Sequence, residues 1–452
     1  MSSAGPPQPE PELLAAFRDA GQEHVFAFWS ELDEARRAEL ARQAGTVDLA
    51  LVTRLFREAD AGRLANPEIA PFPVIGADDA GRGRARAAGQ DALGRGVVGF
   101  VTVAGGQATR LGFGPPKGAR AVGPVSGKSL FRWHAEKVQA TSLRYGHAIP
   151  WAIMTSDAND RATEELFEAE GWFGLEGQVR FVRQQMLPAM DGTGRIVLQD
   201  AGRIAMSPNG HGGVIDALGR GGALDWFAER GVEYLSYFQV DNPLVNPADP
   251  VFLGFQVERE SEMSAKVVRK RDPLEKAGVV VLLGGRPGVL EYTELPEELA
   301  RSEDSDGHLR FGWANIAAHV FTRTFLERMQ GWALPWHAAR KSVPGIDQEG
   351  RAVHVPALKF ETFIFDAIPE ARNFLALETS REEEFAPLKN AEGENSPVTV
   401  RAAILARTRR WYSTLGLRAP EDPDLLEIGP LEAYDLETFA EYVGRVAGGG
   451  QE

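Results

Sequence analysis

The segment AGGQATRLGFGPPKG occupies residues 104–118 and directly follows the apolar run 97–103. A short apolar run that ends in glycines predicts a strand-to-helix turn, where open α/β sheets bind ligands. Glycines let backbone N–H groups approach phosphate oxygens closely, Arg110 offers a planar fork to phosphate, and Lys117 adds a point charge. The spacing matches neither a Walker A loop nor a G-x-G-x-x-G fingerprint. The segment therefore predicts a phosphate-binding loop of another type.

Outward from this loop, apolar runs alternate with helical patterns. Residues 128–138 have apolar side chains at helical spacing, residues 151–154 form an apolar run, and residues 161–170 form an acidic helical segment. Residues 179–182 and 234–240 are further strand candidates. This alternation predicts an α/β fold with a central, mostly parallel sheet covered by helices.

The flanking regions differ from this pattern. Residues 13–63 are predicted to be helical, with an apolar face at i, i+3, i+4, i+7 within residues 25–32. Residues 81–96, rich in Gly, Arg and Ala, favour a solvated loop or a short surface helix over a phosphate-binding surface. The expected boundaries are a helical N-terminal region 1–95, a catalytic domain 96–390 and a small C-terminal domain 391–452.

Composition excludes several classes of protein. The 452 residues carry a formal charge of −15, which argues against a nucleic-acid partner, and the absence of cysteine excludes disulfides, thiolate zinc sites and cysteine nucleophiles. No apolar run approaches the length of a membrane span, and residues 1–12 lack a basic-then-apolar pattern. We expect a cytoplasmic protein without a membrane or nucleic-acid partner, monomeric or weakly homo-oligomeric.

Short segments further along the chain carry amides, carboxylates, glycines or cations in suggestive contexts. They are QQMLPA at 184–189, MSPNGHGG at 206–213, VDN at 240–242, EYTE at 291–294, WANIA at 313–317 and PLKN at 387–390. An amide both donates and accepts, which suits recognition of a nucleobase. A carboxylate at the end of a strand suits Mg²⁺, although a lone Asp there is more often a turn or helix-cap residue.

The loop and these segments, in this order, resemble eukaryotic-type UDP-sugar pyrophosphorylases, and most closely the UDP-N-acetylhexosamine pyrophosphorylase branch. The resemblance covers residues 20–435. It implies a Rossmann-like nucleotide-diphospho-sugar transferase (GT-A-like) fold with small N- and C-terminal accessory domains, and Mg²⁺ as cofactor. Two departures stand out: Ala108 replaces a common Gly, and Trp313 with Ala314 replaces a small Ala-Gly pair.

The resemblance also assigns roles to residues of this chain. The implied catalytic residues are Arg110, Lys117 and Lys389. The implied nucleotide-binding residues are Ala104, Gly105, Gly106, Thr109, Gln184 (with Gln185 as a one-residue alternative), Gly212 and Asp241. The implied sugar-binding residues are Gly213, Asn242, Gly278, Glu291 and Asn315. Asp241 is also the implied metal ligand.

The implied reaction is direct uridylyl transfer from UTP to a sugar 1-phosphate, with N-acetylglucosamine 1-phosphate expected as acceptor. Because Trp313 could narrow the sugar pocket, a glucose or galactose 1-phosphate preference, or a broad one, is the alternative. A non-catalytic nucleotide-sugar-binding regulatory protein is the alternative of another class. The presence of Arg110, Lys117, Asp241 and Lys389 favours the enzyme.

Overall fold

A computed structural model describes residues 8–59, 67–106 and 116–448. The chain divides into two compact units. The smaller unit takes its described residues from Met1–Asn66, Gln185–Gly213 and Ala333–Ile364, and the larger unit takes them from Pro67–Gln184, Val214–Trp332 and Phe365–Glu452. The domain boundaries expected at residues 95 and 390 stay predictions.

The helices are, in chain order, α1 (Pro11–Asp19), α2 (Glu34–Gly45), α3 (Leu49–Glu58), α4 (Arg82–Gly94), α5 (Leu130–Tyr145), α6 (Asp160–Ala169), α7 (Val214–Arg220), α8 (Ala223–Glu229), α9 (Pro250–Glu258), α10 (Glu297–Ala300), α11 (Arg323–Arg328), α12 (Arg381–Glu384), α13 (Pro397–Thr414), α14 (Pro423–Leu426) and α15 (Leu436–Gly448). Short 3-10 turns lie between several of them. In the part of the chain that the structure describes, none of the helices has the length and apolar character needed to cross a bilayer.

The strands are, in chain order, β1 (Ile69–Pro71), β2 (Val74–Ile75), β3 (Val98–Val103), β4 (Trp151–Thr155), β5 (Val179–Arg183), β6 (Met186–Pro188), β7 (Met190–Asp191), β8 (Leu198–Asp200), β9 (Arg203–Ile204), β10 (Met206–Pro208), β11 (Tyr234–Gln239), β12 (Met263–Arg269), β13 (Val279–Leu283), β14 (Arg286–Leu290), β15 (Trp313–Thr322), β16 (Trp336–Ile346), β17 (Ala352–Thr362) and β18 (Leu375–Glu378).

The larger unit is built on an eleven-stranded sheet with the main order β2-β18-β12-β15-β11-β3-β4-β5. Strands β11, β3, β4 and β5 are parallel neighbours, and so are β12, β18 and β2, whereas β15 runs antiparallel between β12 and β11. Every residue of β3 and β4 is buried, as expected for parallel strands covered on both faces. The predicted α/β fold with a mostly parallel central sheet is confirmed.

Helices cover this sheet through close aromatic and glycine contacts. Phe167 of α6 makes an edge contact with Phe131 of α5, with the ring centroids 5.1 Å apart. Helix α4 packs on α9 so closely that a Cβ on Gly254 would lie 1.6 Å from the carbonyl oxygen of Ala85. The Gly/Arg/Ala stretch at 81–96 is therefore a helix with one buried face, more tightly packed than a surface helix.

The smaller unit contains the N-terminal helices, the long hairpin β16–β17 and several short strands. The expected helical face within residues 25–32 lies instead on two 3-10 turns, Glu23–Phe26 and Trp29–Glu31. Val25 and Trp29 are nevertheless buried, so the apolar spacing identified core positions correctly while the type of helix was wrong. Strands β8 and β9 form a short antiparallel hairpin.

Candidate active site

Three of the predicted segments follow strand ends on one side of the sheet in the larger unit. Strands β3, β5 and β11 run parallel, and Val103 at the end of β3 pairs with Gln239 at the end of β11. Residues 104–106, Gln184 and Asp241 come directly after these strands. Ligands of open α/β sheets bind outside the carboxyl ends of the strands, so this edge is the candidate site.

The centre of the site is an ion pair between Lys117 and Asp241. The Nζ atom of Lys117 lies 3.0 Å from Oδ2 of Asp241, and the two side chains are 19% and 9% exposed. Burial raises the pKa of Asp241, but the Lys117 ammonium and the nearby charge of Lys389 outweigh it and hold the pKa below its usual range. Asp241 is therefore an ionised carboxylate that two lysines face.

A buried histidine lies behind this carboxylate. The Nε2 atom of His134, on α5, is 3.0 Å from the carbonyl oxygen of Val240, the residue before Asp241. Burial, assisted by the charge of Lys137, lowers the pKa of His134 to about 3. His134 is therefore neutral and, as a hydrogen-bond donor to Val240, fixes the backbone from which Asp241 projects.

Gln184 lies against the start of the glycine-rich loop. A Cβ on Gly105 would lie 2.0 Å from Nε2 of Gln184, so any larger residue at position 105 displaces this amide. Gln184 is 5% exposed, and among the described residues its Oε1 atom has no hydrogen-bond partner. A buried amide oxygen without a partner costs free energy unless a ligand or water satisfies it. Gln184 therefore offers an acceptor for a bound molecule beside Gly105.

The first residue of the loop is held from the neighbouring strand end. Nδ2 of Asn159 donates to the carbonyl oxygen of Ala104 at 2.7 Å, and the N–H of Ala104 donates to the carbonyl oxygen of Met154 at 2.8 Å. Among the described residues, no atom lies within 4 Å of the position that a Cβ on Gly106 would take. The backbone is thus fixed at Ala104 and open at Gly106, as a loop that receives phosphate requires.

Asn242 joins the end of β11 to a distant segment of the chain. Its Nδ2 donates to the carbonyl oxygen of Glu384 at 2.7 Å, and its Oδ1 accepts from the N–H of Ala386 at 3.1 Å. The residue is 3% exposed. Both ends of the amide are therefore engaged with backbone, which gives Asn242 a positioning task, while its implied contact with sugar stays a prediction.

The same connection brings Lys389 to the site. The N–H of Leu388 donates to the carbonyl oxygen of Asp241 at 2.8 Å, and the N–H of Lys389 donates to the carbonyl oxygen of Asn395 at 2.8 Å. Lys389 is exposed, yet it lies close enough for its charge to lower the pKa of Asp241. An exposed cation beside an ionised carboxylate is suited to holding a phosphate group.

Three residues with an implied sugar-binding role also come together. The N–H of Asn315, on β15, donates to the carbonyl oxygen of Gly278 at 2.9 Å. A Cβ on Gly278 would lie 3.3 Å from Oε1 of Glu291. Residues 278, 291 and 315 therefore form one group, although the sequence separates them by tens of positions.

The residues at 313 and 314 point in opposite directions. Ala314 is 1% exposed and pairs with Val279 inside the sheet, so it cannot narrow a pocket. The guanidinium carbon of Arg269 lies 3.7 Å from the centroid of the Trp313 ring. Trp313 and Asn315 share a face of β15, because successive strand residues alternate. Of these two residues, only Trp313 is therefore placed to narrow the sugar site.

Other predicted residues lie elsewhere. Thr109 and Arg110, with Ala108, lie outside the described residues. Gly212 and Gly213 belong to the smaller unit, where a Cβ on Gly213 would lie 2.1 Å from Oδ1 of Asn209. The roles implied for these residues stay predictions.

Three residues that position the site are not predicted by any local pattern in the sequence: His134, Asn159 and Glu384. His134 lies within the predicted helical segment 128–138, and the only signal for Asn159 is its position as a polar residue shortly after the apolar run at 151–154. Glu384 precedes PLKN without any recognisable pattern. Their contacts span 55 to 142 positions, so no local pattern reports them.

Comparisons with known proteins agree with this geometry. Residues 84–413 match the model of a protein family described as UTP--glucose-1-phosphate uridylyltransferase. The chain is 37% identical to UDP-N-acetylhexosamine pyrophosphorylase-like protein 1 of Homo sapiens, over 96% of this chain and 95% of the relative. It is 35% identical to UDP-N-acetylglucosamine diphosphorylase 2 of Arabidopsis thaliana, over 95% and 91% respectively.

A solved structure is similar over almost the whole chain. It is the uridine diphosphate N-acetylglucosamine pyrophosphorylase from Trypanosoma brucei, with a TM-score of 0.81 and 29% identity. The match covers 98% of this chain and 96% of that one. The likeness thus extends from the N-terminal helices to the C-terminal segment.

Proposed function

Because the chain belongs to the family described as UTP--glucose-1-phosphate uridylyltransferase, we propose that it forms a UDP-sugar and pyrophosphate from UTP and a sugar 1-phosphate. The expected acceptor is N-acetylglucosamine 1-phosphate, since the relatives at 33% to 37% identity carry N-acetylhexosamine or N-acetylglucosamine in their names. The observation that carries the proposal is the Lys117–Asp241 pair at the carboxyl edge of the sheet, together with Gln184 at the same edge, whose amide oxygen has no hydrogen-bond partner among the described residues.

In the proposed reaction, a phosphate oxygen of the sugar 1-phosphate attacks the α-phosphorus of UTP. A new P–O bond forms as the bond from the α-phosphorus to the bridging oxygen of the β-phosphate breaks, and pyrophosphate leaves. Lys117 stabilises the negative charge on the nucleotide phosphates, and Lys389 holds the acceptor phosphate. Such a transfer needs positioning and charge neutralisation and no covalent enzyme intermediate.

Gln184 is proposed to recognise the uracil. Its amide lies next to the loop that receives the phosphates, and its buried oxygen has no partner among the described residues. A uracil N–H would satisfy that oxygen, and the amide N–H₂ would donate to a uracil carbonyl. For Arg110 the proposed role is phosphate binding. It rests on the sequence alone, because a planar guanidinium group suits phosphate oxygens.

Asp241 fits a role as a ligand of Mg²⁺. Its carboxylate is ionised, and proteins usually bind Mg²⁺ through one or two carboxylates together with substrate phosphates. When bound, the ion supplies Lewis-acid stabilisation of phosphate charge. We expect EDTA to abolish pyrophosphate release and added MgCl₂ to restore it. Undiminished activity in EDTA with purified, metal-free substrates would contradict the cofactor assignment.

A pyrophosphate-release assay tests the function and the acceptor together. UTP is supplied with N-acetylglucosamine, N-acetylgalactosamine, glucose or galactose 1-phosphate. We expect the highest kcat/KM with N-acetylglucosamine 1-phosphate. The second candidate is a glucose 1-phosphate uridylyltransferase, and the bulky Trp313 on the same face of β15 as Asn315 is the observation that favours it. Pyrophosphate release with the plain hexose phosphates alone would support this second candidate. Binding of UDP-sugar without turnover would favour a regulatory protein.

Cytoplasmic localisation and a monomeric or weakly homo-oligomeric state belong to the same proposal. Light scattering after size exclusion and fractionation of the source cells test these two points.

A further inference from the structure

The backbone that carries Lys117 continues into a small hairpin. The N–H of Val122 donates to the carbonyl oxygen of Lys128 at 2.9 Å, which closes residues 122–128. Beside Lys117, Gly118 contacts the ring of Phe131 so closely that a Cβ would lie 2.1 Å from it. Lys117 is therefore attached to the hairpin with little freedom, and a shift of the hairpin moves its ammonium.

The tip of this hairpin is held by a carboxylate from the C-terminal region. Glu427 accepts hydrogen bonds from the N–H groups of Val125 and Ser126 and from the Ser126 hydroxyl, the Ser126 N–H at 2.9 Å. A carboxylate that receives successive backbone N–H groups makes charge-assisted bonds, which are stronger than neutral ones. Glu427 therefore fixes the hairpin from a position that is 310 residues after Lys117 in the chain.

A second contact supports the same hairpin. The Nζ atom of Lys128 lies 2.9 Å from Oε2 of Glu136 on α5. A Cβ on Gly429 would lie 2.7 Å from that Nζ atom, so the C-terminal segment passes directly over the ion pair. Glycine at 429 is what permits this approach.

The C-terminal segment also reaches the loop that follows Asp241. Nδ2 of Asn246 donates to Oδ2 of Asp435 at 3.3 Å, and Oδ1 of Asp435 accepts from the N–H of Thr438 at 2.8 Å at the start of α15. The N–H of Asn246 donates to Oε2 of Glu384 at 2.9 Å. One segment therefore bonds to the hairpin that follows Lys117, through Glu427, and to the side chain of Asn246 in the loop that follows Asp241, through Asp435.

We propose that residues 427–438, here termed the C-terminal clamp, set the distance between Lys117 and Asp241 and that Glu427 and Asp435 are positioning residues for the transfer. The inference rests on the proposed function. Neither residue bonds to Lys117 or Asp241 in the described structure. Their effect passes through the hairpin and the loop, and a misplacement of about 1 Å is enough to cost up to about a hundredfold in rate.

Steady-state kinetics of the full chain test the clamp. Glu427→Ala is expected to lower kcat about tenfold to a hundredfold while KM for UTP changes less than about threefold. Glu427→Gln keeps the shape and one acceptor oxygen, and it is expected to recover part of the rate. The control is Glu421→Ala, since Glu421 pairs with Arg418 where both side chains are more than 80% exposed. Its kcat is expected to equal that of the wild type.

A double-mutant cycle separates positioning from general destabilisation. If Glu427 acts through Lys117, Glu427→Ala costs less than about threefold in the Lys117→Ala background, because coupled residues are not additive. An equal loss in both backgrounds overturns the inference, and so does wild-type kcat in the folded Glu427→Ala and Glu427→Gln variants. A wild-type chain that releases no pyrophosphate with any acceptor overturns the proposed function, and the inference with it.

Discussion

Replacing Lys117 by Ala removes the cation that lies 3.0 Å from Asp241. At that distance two unit charges attract by roughly 5 kcal/mol at an effective dielectric constant of about 20, before desolvation is counted. Loss of one preorganised electrostatic donor typically lowers kcat by about 10² to 10³, equivalent to about 3–4 kcal/mol of transition-state stabilisation. We expect a loss of this size in kcat and a change of less than about tenfold in the Kd for UTP. An interaction that strengthens in the transition state affects kcat, whereas one that is equally strong in the bound substrate affects Kd.

The pH dependence gives this prediction a second readout. The pKa of Asp241 is depressed in the folded protein, so Asp241 contributes stability that is present above its unfolded pKa and lost as pH falls through the folded pKa. Without Lys117 the pKa of Asp241 in the folded protein rises, because only the charge of Lys389 remains of the two lysines that counteract the effect of burial. The ascending limb of kcat/KM against pH is expected to move to higher pH, and stability at neutral pH to fall.

The assay is pyrophosphate release for kcat, with calorimetric titration of UTP for Kd. Lys341→Ala is the control, because Lys341 is an exposed lysine on β16 of the smaller unit and its loss also removes one positive charge. A Lys117→Ala variant with unchanged turnover, or one that loses UTP affinity as steeply as turnover, would refute the reasoning from the ion pair.

Four further substitutions test other parts of the site. Gly105→Ala places a Cβ 2.0 Å from Gln184 and is expected to raise KM for UTP. A Cβ at position 106 meets no atom of the described residues within 4 Å, so Gly106→Ala is expected to leave the thermal midpoint unchanged. Asn242→Ala leaves buried backbone groups unpaired and is expected to lower the free energy of unfolding by about 1–3 kcal/mol in urea titrations. Asn315→Ala is expected to raise KM for the sugar 1-phosphate but not for UTP, and equal effects on both would contradict its placement with the sugar.

Much of the site could be predicted from sequence because its parts are local. The apolar run before residues 104–118 and the runs before Gln184 and Asp241 predict strands, and glycine, amide or carboxylate at their ends predicts ligand contact. The structure confirms that these residues follow parallel strands of one sheet. The alternation of strands and helices was likewise sufficient for the fold class.

Local patterns were insufficient where packing decides the conformation. Residues 25–32 have helical apolar spacing, yet they form two 3-10 turns, because spacing identifies a buried face without specifying the backbone that presents it. The small residues of α4 predicted a solvated segment, but small side chains are also what allows two helices to touch, as at Gly254.

The sequence by itself determined the α/β class, the loop at 104–118 and the polar residues available for chemistry, because periodicity and turn chemistry act over a few residues. Only the tertiary structure decided that Lys117 pairs with Asp241 across 124 positions, that Asn242 reaches Glu384, and that Glu427 holds the hairpin after Lys117. Contacts over such separations depend on which faces pack together, and burial strengthens them by removing water, so they exist only once the sheet and its covering helices have assembled.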